Sequence, residues 1–559
     1  MKRTISSLWV CVFMSLVGAA TAGGETVFLP GTPEVDQLVT MYREAGRVFP
    51  TTSFPVSKAE LARFAASLAT SASGDLMDDL QAYQDNVLAF NTSHDSISAS
   101  GSASFEYTYR TRNVNFDPGL PTEIQILDLQ RLFLQQLPLA SAMLDYSRDS
   151  GFELGISAKV EREYFLDPFN ATNLWESDPA AGNPLAIENQ DIMRGFIWYD
   201  FHPLQVTLGR DMVSIGPGSH SLFPSMDLPY LDMLRLRLPV GRLTGDLLIS
   251  TLENRQRGNP AGDVTLVSTE PQFGTTLILM AMHRYEYAFD FVRVGIGALA
   301  VYARLGNAYS LGDIFPVFSW HQADIGSNHL TLVADVSWMP LPGLSIEGQA
   351  GVQSVNLGAI GVTNQAVPTI PAAIVTIGYK FVLPAHLKLD SSCEVGYTHY
   401  LWGNFSPDPY GNPDMLARDI DRYYLDGGNV ILPLNSPYGP GATWVELTAA
   451  LHGMQWLDAS ISARYFSRMT DPNGPDGSEP VNLVDTLYQR SPAIEAAPHV
   501  DTWSVGARVA ALPFGFLTLS VEPTLYLQID NRTGARTTWM ELSLGVSVHG
   551  DSVTRIAHD

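Results

Sequence analysis

The chain has 559 residues, with 33 basic against 58 acidic side chains and a formal charge of −25. That acidity argues against nucleic acid as a partner, because a polyanion would be repelled. Of the 2 cysteines, Cys11 lies in an expected leader, so Cys393 stands alone and neither a disulfide framework nor a thiolate metal cage is available.

Lys2 and Arg3, the apolar stretch Ile5–Ala19 and the small-residue site Ala20-Thr21-Ala22 predict a secretory signal peptide over 1–22. Beyond it no apolar run approaches the roughly 18–20 residues of a spanning helix; Val294–Ala303 has about half of that. A secreted chain without membrane helices is either free or a closed barrel, since only helices and closed barrels satisfy all backbone polar groups in lipid.

Residues 23–95 read as a small helical domain. Thr32-Pro33-Glu34 marks a helix start with a capping hydroxyl and proline at the first position, and Val35, Leu38, Val39 and Tyr42 come after it at helical spacing. Ser57-Lys58-Ala59-Glu60 is a capping box that opens a second helix carrying Leu61, Phe64, Ala65 and Leu68. A third begins at about Asp75, with Leu76, Leu80, Tyr83 and Val87 aligned. About seventy residues make a marginal core, so the domain is expected to dock on the rest of the chain.

From residue 97 the period changes to two. In 97–110, Ile97, Ala99, Ala103, Phe105, Tyr107 and Tyr109 share one face, and Ser98, Ser100, Ser102, Ser104, Glu106, Thr108 and Arg110 share the other, the signature of a long strand. About eighteen such segments run to 535–548. Tight turns, as at Pro239–Gly241 and Pro340–Gly343, alternate with long loops at 165–190, 212–229, 254–273, 305–327, 356–371, 400–440 and 469–499. That alternation is the habit of outer-membrane barrels, with short periplasmic turns and long extracellular loops. Residues 122–134 could add a strand or an inserted helix. A soluble β-sandwich is the competing fold, disfavoured by strand length and uneven loops. The expected fold is therefore an all-β transmembrane barrel of about eighteen antiparallel strands over 96–549, with an N-terminal α-helical periplasmic domain over 23–95 and a C-terminal tail over 550–559. The chain does not end on an aromatic residue, which bears on its handling by the barrel-insertion machinery.

Alternation also assigns faces. In 515–529, Leu517, Leu519, Val521, Leu525 and Leu527 point to lipid, and Thr518, Ser520, Glu522, Thr524 and Gln528 point inward. Glu153, Ser157, Lys159, Glu161 and Glu163, with Glu347, Gln349 and Gln353, predict a polar, wet lumen. Trp198, Tyr199, Tyr285 and Trp338 are expected in interfacial girdles that meet outer-membrane lipids.

Three segments resemble the Wzi family of capsule-assembly outer-membrane barrels. They are Leu208-Gly209-Arg210 with Gly216-Pro217-Gly218 and Ser221-Leu222-x-x-Ser225; Tyr438-Gly439-Pro440-Gly441-Ala442-Thr443, which lacks the family's acidic residue; and Phe54-Pro55-Val56-Ser57 ahead of a helix. The matches touch about a quarter of the chain. The resemblance implies an eighteen-stranded barrel with a periplasmic helical bundle that holds or organises surface polysaccharide.

The residues suggest local roles of their own. Gly216 and Gly218 permit backbone angles closed to other residues and Pro217 stiffens the turn. Arg210 is placed to pair with lumen carboxylates. This reads either as a constrained loop folding into the barrel mouth or as a ligand contact. The 400–440 loop carries Trp402, Tyr410, Asp419, Arg422, Tyr423 and Tyr424, with Gly439 and Pro440 at its end. Aromatics beside planar polar groups suit carbohydrate, and they equally suit an ordered plug.

No nucleophile elbow, zinc helix, phosphate loop or calcium loop is present, and the histidines show no ligand spacing. In Ser219-His220-Ser221 an extended backbone turns His220 away from both serines. No catalytic residue, metal or cofactor is expected. Two functions remain: a barrel that binds, anchors or organises surface or capsular polysaccharide, and a porin-like diffusion channel.

Overall fold

The computed structural model describes residues 27–85, 95–111, 138–162, 187–189, 193–252, 277–303, 307–309, 328–354, 369–403, 419–425, 428–471, 479–480 and 491–556, apart from 71, 73, 149–150, 385–386, 455 and 515. The expected signal peptide, residues 122–134 and most of the long loops lie outside these.

Three helices come first: α1 (Pro33–Glu44), α2 (Lys58–Ala69) and α3 (Asp75–Tyr83). The capping box of α2 forms as the sequence predicts, with the Glu60 amide donating to Ser57 Oγ at 3.2 Å and the Ser57 amide to Glu60 Oε2 at 3.1 Å. The cap expected at Thr32 does not form. Its hydroxyl donates backward to the Leu29 carbonyl at 2.8 Å, and Asp36 instead accepts from the Gly31 amide at 3.0 Å. Val35, Leu38, Tyr42, Leu61, Ala65, Leu68, Leu80 and Tyr83 form the core of this unit.

The remaining described chain closes into an antiparallel barrel of 18 long strands. They are β1 (Asp95–Arg110), β2 (Ala140–Arg148), β3 (Phe152–Arg162), β4 (Arg194–Asp200), β5 (Gln205–Asp211), β6 (Leu231–Val240), β7 (Leu243–Leu252), β8 (Ile278–Ala288) and β9 (Val292–Ala303). Then come β10 (Asn328–Leu341), β11 (Leu344–Ser354), β12 (Ile370–Val382), β13 (Lys388–Thr398), β14 (Ala442–Met454), β15 (Leu457–Arg468), β16 (Val500–Phe514), β17 (Leu517–Asp530) and β18 (Ala535–Ile556). Each expected strand segment is present. A short strand, Ile187–Asn189, extends the pairing of β3 beyond β4. Closure is made by β18 on β1, from Glu541 opposite Arg110 to Ile556 opposite Asp95. The segment expected as a tail after 549 therefore continues the last strand. Full pairing leaves no open edge, the condition for a sheet in lipid.

Alternation survives almost intact on the outer face, where Leu208, Ile296, Ile461 and Val505 are more than half exposed. Exposed Phe289, Phe291, Trp456, Phe514 and Phe516 gather at the short turns, as a girdle requires. Trp198 departs from expectation. It faces inward, 5% exposed, and packs with Phe196 against Val27 of the N-terminal segment, so it is no girdle residue.

The lumen is the larger correction. The polar pattern predicts a wet interior, yet Val213, Ile215, Leu222, Phe223 and Leu228 of the segment after β5 pack there with Met233, Leu248, Met280, Leu299 and Val301 of the wall and with Trp402, Leu434 and Tyr438. Polar side chains still line the half nearer the short turns; the other half holds this apolar core together with buried polar residues such as Thr331, Glu394, Asp419 and Arg468. The unusually apolar run Val294–Ala303 has its cause here: its outward Val294 and Ile296 are exposed on the outer face, its outward Ala298, Ala300 and Tyr302 form a buried cluster with Leu279 and Ala281, and its inward Leu299 and Val301 meet the plug.

Candidate functional site

The contents of the lumen come from three stretches of chain. The helical unit sits on the short-turn rim, where the Gly343 amide donates to the Arg43 carbonyl at 2.9 Å, the Val48 amide to the Asp290 carbonyl at 3.0 Å, and Lys388 pairs with Glu44 at 2.7 Å. From there residues 49–57 rise into the barrel, so this unit is a plug as well as a docked domain. Inside, Ser53–Phe54 pairs antiparallel with Ser214–Ile215, which joins the N-terminal plug to the in-folded segment 212–229. The third stretch is the loop ending near 442.

The first plug is held by charge. Arg237 contacts both oxygens of Glu60 at 2.6 Å, and Gln205 Nε2 donates to the same carboxylate at 3.0 Å. Arg235 binds Asp246 at 2.8 and 2.7 Å and donates to Ser53 Oγ at 2.9 Å. Arg284 reaches Asp335, Glu286 and the hydroxyl of Thr52, the last at 2.8 Å. Glu286 accepts from the Thr52 amide at 3.1 Å and from the Thr51 hydroxyl. Arg293 caps the Phe49 carbonyl at 2.6 Å. All these wall residues belong to β5–β10, and most are nearly inaccessible. Buried charges survive only when paired, so this network specifies one seating of the plug. Burial would raise the Glu60 pKa, but the Arg237 guanidinium outweighs it and holds the carboxyl below the ordinary glutamate range.

The Gly216-Pro217-Gly218 turn lies at the join. Gly216 and Gly218 adopt φ of +100° and +90°, as the sequence predicts. The Gly216 amide donates to the Thr52 carbonyl at 3.0 Å, and a Cβ there would come within 2.4 Å of Ser221 Oγ. Gln349, inward on β11, donates to the Pro217 carbonyl at 2.7 Å and accepts from the Leu222 amide at 2.9 Å. Arg210 does not meet lumen carboxylates as expected. Instead it faces outward at the long-loop rim, gripping Asp232 at 2.7 and 2.8 Å and covering the Tyr230 ring; strand parity places Asp211, not Arg210, toward the lumen.

In the later loop, Trp402 is 1% exposed and donates to Asn435 Oδ1 at 3.0 Å. Asn435 and Thr331 donate to Asp419 at 2.7 and 3.1 Å, and burial pushes the Asp419 carboxyl up from its ordinary value. Gly439 and Pro440 present carbonyls to Thr398 and Arg468, each at 2.6 Å. Arg422, Tyr423 and Tyr424 lie on a short strand, Ile420–Leu425, paired with Gly428–Pro433; Tyr410 lies outside the described residues.

Two features were not read from the sequence. One is a cavity of about 560 Å³ between the plug and the wall made by β18, β1, β2 and β3. Ser100, Ser102, Ser141, Ser157, Lys159 and His549 face it, with Met212 and Pro229 of the in-folded segment opposite. The serine run of 97–110 carried that signal, since short inward side chains cannot reach a plug. The other is a cluster from three distant segments: His220, Glu394 on β13 and Glu446 on β14. His220 Nδ1 lies 3.2 Å from Asp227, and Nε2 lies 3.3 Å from Glu446 and 3.9 Å from Glu394. Burial disfavours charge on the ring, yet Asp227 leads the groups that outweigh it, and the imidazole pKa stands well above ordinary.

No protein-family model matches the sequence, and no curated protein matches it. Among solved structures the chain is similar to OccK9 (OpdG) of Pseudomonas aeruginosa, at 12% identity over 82% of this chain and 98% of that one, with a TM-score of 0.40. It is also similar to the outer membrane channel DcaP of Acinetobacter baumannii, at 10% identity over 82% and 97%, TM-score 0.32. A third likeness is to OmpT of Vibrio cholerae at 7%, over 82% and 98%, TM-score 0.32. These are likenesses of architecture, that of outer-membrane β-barrels.

Proposed function

We propose that the protein is an outer-membrane channel for small polar solutes, with a narrow passage running off-centre beside a fixed plug. The observation that carries this reading is the cavity of about 560 Å³ lined by serines. Ser100 and Ser102 on β1 and Ser141 on β2 face this cavity beside Met143, and their hydroxyls can exchange hydrogen bonds with a passing solute at little cost. On the opposite wall arginines and carboxylates grip the plug. In this reading the short turns, the helical unit and the end of β18 are periplasmic, the long loops are extracellular, and no catalytic step is involved.

Purified protein in planar bilayers tests it. Small, discrete current steps are expected, and Ser102→Trp, which places a bulky ring in the cleft, should reduce them several-fold while leaving heat-modifiable migration intact. Absence of current from a correctly folded barrel would refute the channel.

A second reading, anchoring or organising surface polysaccharide, is favoured by one observation. The plug is held by one buried ion pair, Arg237 with Glu60, and by hydrogen bonds from a buried ion-pair network that spans β6–β10, the construction of a sealed scaffold. It accords with the Wzi resemblance of the Gly216-Pro217-Gly218 segment. A folded, silent barrel that retains capsular glycan at the cell surface would select it.

A further inference from the structure

We propose that His220, Glu394 and Glu446 bind a divalent transition-metal cation, which fastens the in-folded segment 212–229 to the barrel wall. The three ligand atoms lie within 4.8 Å of one another. Ligands held at about 2.0–2.2 Å around a tetrahedral zinc stand roughly 3.3–3.6 Å apart. The separations from His220 Nε2, 3.3 Å to Glu446 and 3.9 Å to Glu394, already approach that spacing. One imidazole with two carboxylates is a donor set suited to zinc or manganese.

The surroundings match what a metal histidine needs. Asp227 holds the Nδ1 edge of the ring at 3.2 Å, which turns Nε2 toward the two glutamates, the carboxylate–histidine arrangement that orients ligands at metal sites. Glu394 is fixed in turn by Trp444 Nε1 at 3.0 Å and by Thr376 Oγ1 at 3.0 Å. Tyr438 Oη lies 3.5 Å from His220 Nε2, beside the same cluster. The ion pairs here set three carboxylates, Asp227, Glu394 and Glu446, against one guanidinium, Arg464. A divalent cation at Nε2 supplies the positive charge that this group lacks. The site takes one ligand from the plug and two from the wall, so occupancy staples the two together whether or not solutes pass alongside.

The test uses full-length protein in detergent, stripped with a chelator, dialysed, and titrated with zinc against a chromophoric competitor. One equivalent should bind saturably. Glu394→Gln, nearly isosteric, and His220→Gln should each weaken that binding at least about a hundredfold, and Asp227→Asn by about 10–100-fold. Heat-modifiable gel migration serves as the folding control for each variant. The proposal is overturned if the folded parent binds no zinc stoichiometrically, which leaves His220 as a proton-bearing bridge between carboxylates. It is equally overturned if Glu394→Gln and His220→Gln, both folded, bind zinc as the parent does.

Discussion

Replacing Glu60 by glutamine should unseat the N-terminal plug. The side chain is fully buried and receives Arg237 at 2.6 Å on both oxygens. Glutamine at the same helical position can still reach back to the Ser57 amide through its amide oxygen, so the capping box is retained. What is lost is the countercharge of Arg237, which is 2% exposed and has no water to turn to. Breaking one partner of a buried pair costs about 3–5 kcal/mol, equal to roughly a hundred- to several-thousand-fold more of the unseated state. Two assays read it. Protease added to the short-turn side should cut near residues 46–57 far faster in Glu60→Gln than in the parent, and bilayer currents should show larger, long-lived openings. A paired variant, Glu60→Gln with Arg237→Met, removes the stranded charge and should recover most of the protection. If Glu60→Gln resists protease and stays as quiet as the parent, the ionic contact does not seat the plug. If the paired variant is as labile as the single one, the loss is not electrostatic.

Three further outcomes rest on the same geometry. Because Arg237 holds the folded Glu60 pKa below its unfolded value, that carboxylate stabilises docking above the ordinary glutamate range, near 4.3; the contribution disappears as pH falls through the lowered value, so protease sensitivity of the plug should rise on acidification in that window. Gly216→Val sets a Cβ within 2.4 Å of Ser221 Oγ at a φ of +100°, at a cost of about 1–3 kcal/mol in backbone strain alone; the barrel should still assemble, with faster cleavage in 212–229. Ile461→Arg, on the outer face at a residue 61% exposed, should cost about 2–4 kcal/mol if it lies at mid-bilayer, measured as a lower urea midpoint in lipid vesicles than in detergent micelles.

Strands were legible because the outer face obeys a single rule. Lipid accepts only apolar side chains, so every second residue of β1 or β17 is apolar without exception long enough to count. The inner face obeys no such rule, since what it meets depends on which loops fold back. Leu248, Met280 and Val301 face inward, where alternation alone calls for polar residues, and their apolar character is explained only by Leu222, Phe223 and Trp402 in the same core. Trp198 failed for the same reason: an aromatic near a strand end suits a girdle, yet its parity put it opposite Glu153 on the inside, against Val27. Arg210 shows that a one-residue error of parity exchanges lumen for exterior. The site at His220 was beyond reach, because its partners lie 174 and 226 residues away and only closure of the barrel brings β13 and β14 to the in-folded segment.

The two halves of the wall explain why the lumen is asymmetric. Strands β6, β8 and β9 carry Arg235, Arg237, Arg284 and Arg293 at inward positions, and an arginine in a narrow barrel must be met by a carboxylate or a carbonyl. The plug supplies Glu60, the Phe49 carbonyl and the hydroxyls of Thr52 and Ser53, so it is drawn to that side. Strands β1 and β2 carry several inward serines, too short to bridge to the plug and satisfied by one another, as in Ser96 with Ser147 at 2.6 Å and Ser102 with Ser141 at 2.7 Å. A plug drawn to one wall leaves space along the other, lined by serine hydroxyls together with Met143, Met193, Met212 and Pro229. Filling the cleft would therefore require long side chains at Ser100, Ser102 and Ser141, inward positions on β1 and β2 at which this sequence places serine.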